Sequence, residues 1–213
     1  MRFGADGEPY SGDLDRIEEV AATAAMAGLH LQHYPIRHLG TERSGDILGA
    51  MYLHLLDCGV EVRTRTEVLR VLTEDGQVRG VETAGGEILT ARHVVVAPGR
   101  EGADWLRRMA SDLSLSLSVN PVDIGVRVEL PAHILKPLTD LLYEPKFLYY
   151  SSAFDDRVRT FCVCPAGEVV TEWAGDVLTV NGHSYANKKT ENTNFAVLVS
   201  KNFTEPFREP IAY

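Results

Sequence analysis

The residues from Ala91 to Arg100, Ala-Arg-His-Val-Val-Val-Ala-Pro-Gly-Arg, constrain this chain more than any other stretch. An apolar run through Val94, Val95 and Val96 reads as a strand buried on both faces. Ala97-Pro98-Gly99 then ends it where the backbone must approach something closely. What precedes it fits an α/β order. Val60-Glu61-Val62 follows a helix, and Thr66 to Thr73, Gln77 to Thr83 and Glu87 to Thr90 alternate as three strands. Asp75-Gly76 and Gly85-Gly86 supply the turns between them. A sheet built this way has helical crossovers of right-handed sense.

Composition narrows the function classes. The chain has 213 residues, 45% apolar and 24% charged, enough for one large or two small domains. Lys and Arg number 21 against 30 Asp and Glu, a formal charge of -9, which argues against nucleic acid or an anionic membrane as the main partner. No apolar run approaches the roughly 20 residues that span a bilayer. No apolar signal core follows Met1 to Asp6, so a cytoplasmic location is expected. Three cysteines without framework spacing fit reduced thiols.

Taken in order, Met1 to Gly12 reads as a loop, and Ser11 or Asp13 can cap a helix running to about Ala27 with Ile17, Val20, Ala21, Ala24 and Ala25 on one stripe. Leu29 to Tyr34 is a short strand. A second helix spans about Gly45 to Asp57, capped by Ser44, with Ile47, Leu48, Met51, Leu55 and Leu56 inward. Glu101 to Leu113 is a third, with Trp105, Leu106 and Met109 inward. Composition changes near residue 120. Beyond it, Val122 to Leu130 is a strand, Pro131 to Leu142 a helix broken or kinked by Pro137, and Phe147 to Ser151, Val158 to Cys164, Glu168 to Trp173, Val177 to Val180 and Phe195 to Val199 are β-rich. This second part reads as a largely antiparallel α+β domain.

Several of these segments carry a resemblance. Helix, strand, three-stranded meander, apolar strand and Ala-Pro-Gly is the order in flavin-binding domains of the glutathione-reductase-like, two-dinucleotide-binding type. Arg37 to Thr41, Asn120 to Arg127, Phe161 to Val170 and Val180 to Tyr185 resemble a family of bacterial FAD-dependent dehydrogenases. The family usually has Gly-Gly after Cys-Pro, where this chain has Ala166-Gly167. Its opening G-x-G-x-x-G loop and its closing Gly-Asp segment do not occur here, so the chain reads as the interior of a longer protein. The resemblance implies a partial Rossmann-like FAD-binding domain over residues 1–119 and part of a substrate domain over 120–213. It implies FAD as cofactor, a small-molecule substrate, and a pyridine nucleotide or other electron donor. The chain alone is then expected to be inactive. The alternative from another class is a cofactor-free binding or interaction module that keeps a flavoprotein fold.

The candidate site residues each have a plainer reading beside the functional one. Ala97, Pro98 and Gly99 lie at a strand end where open α/β sheets bind ligands, or form an ordinary strand-to-helix turn. Val68 falls where related flavoproteins hold the adenine by backbone groups, and is equally a core valine. Arg100 can pair with an anionic group of the cofactor or stand as a solvated charge. Thr41, with His38, precedes a helix N-terminus that suits a negative group, or belongs to a capped loop. His183 and Tyr185, in a polar group with Asn181 and Ser184, are candidate proton donors, unless Asn and Ser simply stabilise a turn. His30, His33 and His38 lack the ligands that complete a metal motif. Cys162 and Cys164, on one strand face, read as buried thiols poorly placed for a disulfide, and Cys58 is ordinary. No nucleophilic triad is apparent.

Overall fold

The Asp13 carboxylate accepts hydrogen bonds from the backbone N–H groups of Asp15 (3.0 Å) and Arg16 (3.3 Å), satisfying two donors that a helix start leaves without partners. Helix α1 (Leu14–Met26) therefore begins there in the computed structural model, which describes residues 3, 10, 12–118 and 120–201. Ser11, the other candidate cap, lies outside the described residues. Strand β1 (His30–Gln32) follows, then a 3-10 turn over Thr41–Arg43 and helix α2 (Ser44–Asp57). Ser44, expected as a cap, is already helical, and its hydroxyl donates to the Thr41 carbonyl at 2.7 Å. The chain continues through β2 (Val68–Glu74), β3 (Gln77–Thr83), β4 (Ile88–Thr90) and α3 (Ala103–Asp112). It goes on through β5 (Val122–Pro131), α4 (Ala132–Thr139), β6 (Lys146–Tyr150), β7 (Arg157–Cys164), β8 (Glu168–Ala174), β9 (Val177–His183) and β10 (Asn192–Lys201).

These elements fall into two compact units, one of residues up to Tyr52 with those from Asn120 on, the other beginning at Leu53. In the first, five strands form a sheet in the order β1-β6-β7-β10-β5, every pair antiparallel. β10 pairs with β5 from Asn192↔Pro131 to Lys201↔Val122 without a slip. A Cβ at Gly125 would collide with the Val197 carbonyl of that neighbour, so this ladder position takes glycine alone. Ile17 of α1 packs with Leu141 and Leu142 just past α4, flanked by Val20, Leu31 and Leu138. Strands β8 and β9 form a separate hairpin, with Glu168 opposite His183. Asn181, offered by the sequence as a turn residue, instead continues β9 with Gly182, the two opposite Val170 and Val169.

In the second unit, β2, β3 and β4 form the expected antiparallel meander, and Asp75 and Gly76 turn it with φ of 51° and 72°. Helix α3 lies on it. The Trp105 indole donates to the Leu69 carbonyl at 2.8 Å, and Met109 is buried.

The expected Rossmann-like parallel sheet is where the structure departs from the sequence reading. Among the described residues every strand pair is antiparallel, and neither Val60–Val62 nor Val94–Val96 belongs to a sheet. Val95 is 91% exposed. A parallel strand is buried only when other strands flank both its edges and helices cover both its faces. No described strand pairs with this run, so its apolar side chains are left uncovered. Helix α2 shows the same thing: no residue of it is buried, and Leu48, Met51, Leu55 and Leu56 of its expected inner face are exposed. The alternation from Leu113 to Ser118 likewise yields no strand.

Two glycines give opposite expectations for stability. Gly49 lies inside α2 with open space around a prospective Cβ, so Gly49→Ala should stabilise the chain by about 1 kcal/mol through helix propensity. Gly125→Ala should destabilise it by about 1–3 kcal/mol, because β5 must move away from β10. Urea melts of the two variants beside the parent decide this, and a neutral Gly125→Ala would mean that the β5–β10 ladder is looser than described.

Candidate functional site

The residues singled out in the sequence divide between the units. Val68 opens β2 opposite Thr83 and is half-buried. Ala97, Pro98 and Gly99 are exposed, and Gly99 has a φ of 69° with nothing near a prospective Cβ. The carbonyl of Arg100 accepts from Ala103 N–H at 3.2 Å where α3 begins. These five belong to the unit that starts at Leu53. Thr41, His183 and Tyr185 belong to the other, where they are brought together.

Thr41 makes that junction. Its N–H and its hydroxyl both donate to the Ser184 carbonyl at 3.0 Å, fixing the turn before α2 against the segment that leaves β9. The Glu42 carboxylate completes the link by accepting from Ala186 N–H (2.9 Å) and Asn187 N–H (3.1 Å). Desolvation works to raise the Glu42 carboxyl, but the backbone N–H groups outweigh it and hold it below the ordinary range. The negative group at this turn is thus supplied by the chain. His38 stacks on Tyr143 with ring centroids 4.4 Å apart, and His38 Nε2 and Tyr143 Oη are both buried without hydrogen-bond partners among the described residues. Burial pushes the Tyr143 phenol up to about 12, and burial followed by the charge of Lys189 lowers His38.

His183 closes β9, and its ring meets that of Tyr185 edge-on at 6.3 Å. The Tyr185 hydroxyl donates to Glu168 at the start of β8, and Lys188 lies 3.5 Å from the same carboxylate and over the Tyr185 ring. The hydrogen bond to Glu168 raises the Tyr185 phenol, and that same bond, helped by Lys188, lowers Glu168. Tyr185 is therefore a phenol that keeps its proton and donates it in a hydrogen bond to a carboxylate, and it acts on a substrate only by turning from Glu168.

Beside this lies a group that sequence reasoning passed over. Arg127 on β5 reaches across the small Ala196 of β10, its Nε donating to Asn194 Oδ1 (2.8 Å) and its Nη2 to the Cys162 carbonyl (2.9 Å) and Cys164 Sγ (3.5 Å). A Cβ at Gly182 would collide with that guanidinium. Asn194 is fully buried, and its Nδ2 has no partner. The two sulfurs are 3.8 Å apart. Their shared hydrogen bond lowers the Cys162 thiol, with help from Arg127 and against burial, while the same bond and burial raise Cys164.

Whether this chain holds a dinucleotide can be asked of its own surfaces. A cleft of the second unit, about 290 Å³, is lined by Arg70 to Thr73 of β2 with Met109, Asp112 and Leu113, and includes neither Val68 nor Ala97 to Arg100. Ala97-Pro98-Gly99 offers an exposed backbone edge, open around Gly99. Among the described residues, no group of three His, Cys, Asp or Glu side chains is placed to hold a metal. No helix among them is long and apolar enough to cross a membrane.

Comparison with known proteins bears on the half that contains the polar cluster. Residues 121–211 match the family described as FAD-dependent protein, C-terminal domain-like. A protein of Clostridium beijerinckii, described as an uncharacterized protein, is 24% identical over 186 residues. That match covers 83% of this chain and 34% of the relative, so the chain spans about a third of the length of the curated relative it matches.

The Tyr185–Glu168 pair makes two pH expectations with opposite signs. Glu168 is depressed, so its contribution to stability is present above its unfolded pKa and lost as pH falls through the folded value. Tyr185 is raised, so its contribution is complete below its unfolded pKa and lost as pH rises through the folded one. Glu168→Gln should flatten the loss of stability on the acid side and return Tyr185 toward ordinary phenol titration. Urea midpoints against pH check the first effect. Ultraviolet difference titration against Tyr185→Phe checks the second, and an unmoved phenol would disprove the pairing.

Proposed function

We propose that this chain is part of an FAD-dependent oxidoreductase of the glutathione-reductase-like type, with residues 1–119 contributing to the cofactor domain and 120–213 to a substrate domain. The observation that carries this reading is the match of residues 121–211 to the C-terminal domain of an FAD-dependent protein family. When bound, the flavin supplies the hydride or electron chemistry. Ala97, Pro98 and Gly99 would lie against the cofactor by their backbone, with Val68 on the adenine and Arg100 toward its anionic part. The left-handed φ and open surroundings of Gly99 support close approach there. His183 and Tyr185 would hold or deliver a proton at the substrate. The acidic balance of -9 supports a small-molecule substrate over nucleic acid or an anionic membrane, and a cytoplasmic dehydrogenase drawing on a pyridine nucleotide or another donor fits it.

The chain alone should bind FAD weakly or not at all, since Ala97 to Gly99 form one open edge. In the product of the full reading frame that contains it, Gly99→Val should sharply lower flavin content. His183→Asn and Tyr185→Phe should leave flavin content unchanged and slow turnover by about 100-fold or more, the usual scale of a general acid. Flavin absorbance and stopped-flow reduction by candidate donors measure the two effects. A full-length product without flavin would favour the cofactor-free interaction module instead.

A further inference from the structure

We propose that Cys162 and Cys164 form a thiol–disulfide exchange site: Cys162 attacks a low-molecular-weight disulfide, and Cys164 resolves the mixed disulfide that results. The inference starts from a backbone irregularity. Between its pairings Asn194↔Cys164 and Ala196↔Phe161, β10 advances by two residues while β7 advances by three. The extra residue makes a β-bulge, and Cys162 sits in it with a φ of 49°, a conformation that residues other than Gly, Asn and Asp rarely adopt. In a regular strand, residues two apart stand about 6.6 Å from one another along the chain, with parallel side chains. The bulge re-aims Cys162 and brings the two sulfurs to 3.8 Å.

The surroundings divide the roles. Cys164 is 2% exposed, whereas Cys162 is half-buried and the more accessible residue of the two. Cys164 Sγ also lies 3.4 Å from the Cys162 carbonyl, close beside its neighbour. Arg127 places a positive charge against the pair, and among the described residues its guanidinium donates to an amide oxygen, a carbonyl and a sulfur. Asn194 holds that guanidinium, and the missing side chain of Gly182 makes room for it. Glu144 opposes it, its carboxylate accepting from Cys162 N–H at 3.1 Å. The S–H of Cys164 and Arg127 prevail and lower the Cys162 thiol, which makes Cys162 the attacking sulfur of the pair.

The chemistry balances without a further reactant. Cys162 Sγ forms a bond to one sulfur of the external disulfide, whose S–S bond breaks and releases one thiolate. Cys164 loses its proton to solvent, attacks Cys162 Sγ and expels the second thiolate. The protein dithiol is oxidised by two electrons, and the external disulfide is reduced to two thiols.

The test uses the whole chain carrying Cys58→Ser, so that only this pair titrates, with glutathione disulfide as the probe. Intact mass after acid quench should show loss of two hydrogens with no adduct, reversed by dithiothreitol. Cys164→Ser should trap one glutathione on Cys162, and Cys162→Ser should leave Cys164 unmodified in the folded chain. Arg127→Gln should slow alkylation of Cys162 at neutral pH by about tenfold, with Arg127→Lys slowing it less. Because the first measurement is made without altering the pair, it stands even if a variant folds poorly. Two stable glutathione adducts, or two thiols left free under conditions that oxidise a dithiol peptide, would overturn the proposal.

Discussion

Strand β10 carries hydrogen bonds on both edges, and the larger unit is assembled around that double pairing. Its first residues are the most deeply buried polar groups described, Thr193 at 1% and Asn194 at 0% exposure. Buried backbone and side-chain polar groups must find partners. Thr193 Oγ1 accepts from Ala166 N–H, and Thr190 Oγ1 bonds the Gly167 carbonyl, so the turn between β7 and β8 is tied to the entry of β10. The β7 bulge, the β8–β9 hairpin and the segment after His183 are all fixed by what β10 requires there.

That arrangement sets two polar groups with different electrostatics near the same strand ends. At Glu168 and Lys188 two opposite charges are paired, and the Tyr185 hydroxyl donates to the same carboxylate. At Arg127, Cys162 and Cys164 a half-buried cation meets sulfur and neutral oxygen. A cation held this way favours whichever neighbour can take a negative charge, and the thiol pair is that neighbour. Among the described residues, Asn194 Nδ2, His38 Nε2 and Tyr143 Oη of this unit are buried without hydrogen-bond partners.

Local signals carried over faithfully. Asp13 caps α1, the meander turns at Asp75-Gly76, and α3 meets the sheet through Trp105 and Met109, because each depends on residues near one another in sequence. The valines from Val94 to Val96 did not become a buried strand, since a run of apolar residues states a preference for burial and cannot provide the strands and helices that cover it. Asn181-Gly182 failed for a related reason. Its turn preference gave way to pairing with Val169 and Val170, and Gly182 serves instead to admit Arg127.

The sequence by itself determined the helices, the meander and the β-rich character of the second half, through periodicity and capping that act within a few residues. It also contained Thr41, His183 and Tyr185, but their meeting through the Ser184 carbonyl links residues more than a hundred positions apart. Only the tertiary structure decided that residues up to Tyr52 join those after Asn120, and that Cys162 and Cys164 face one another. An i, i+2 spacing on a regular strand holds two thiols apart. Register against β10 introduces the bulge, and the bulge, with Arg127 arriving from β5, turns two ordinary cysteines into an interacting pair.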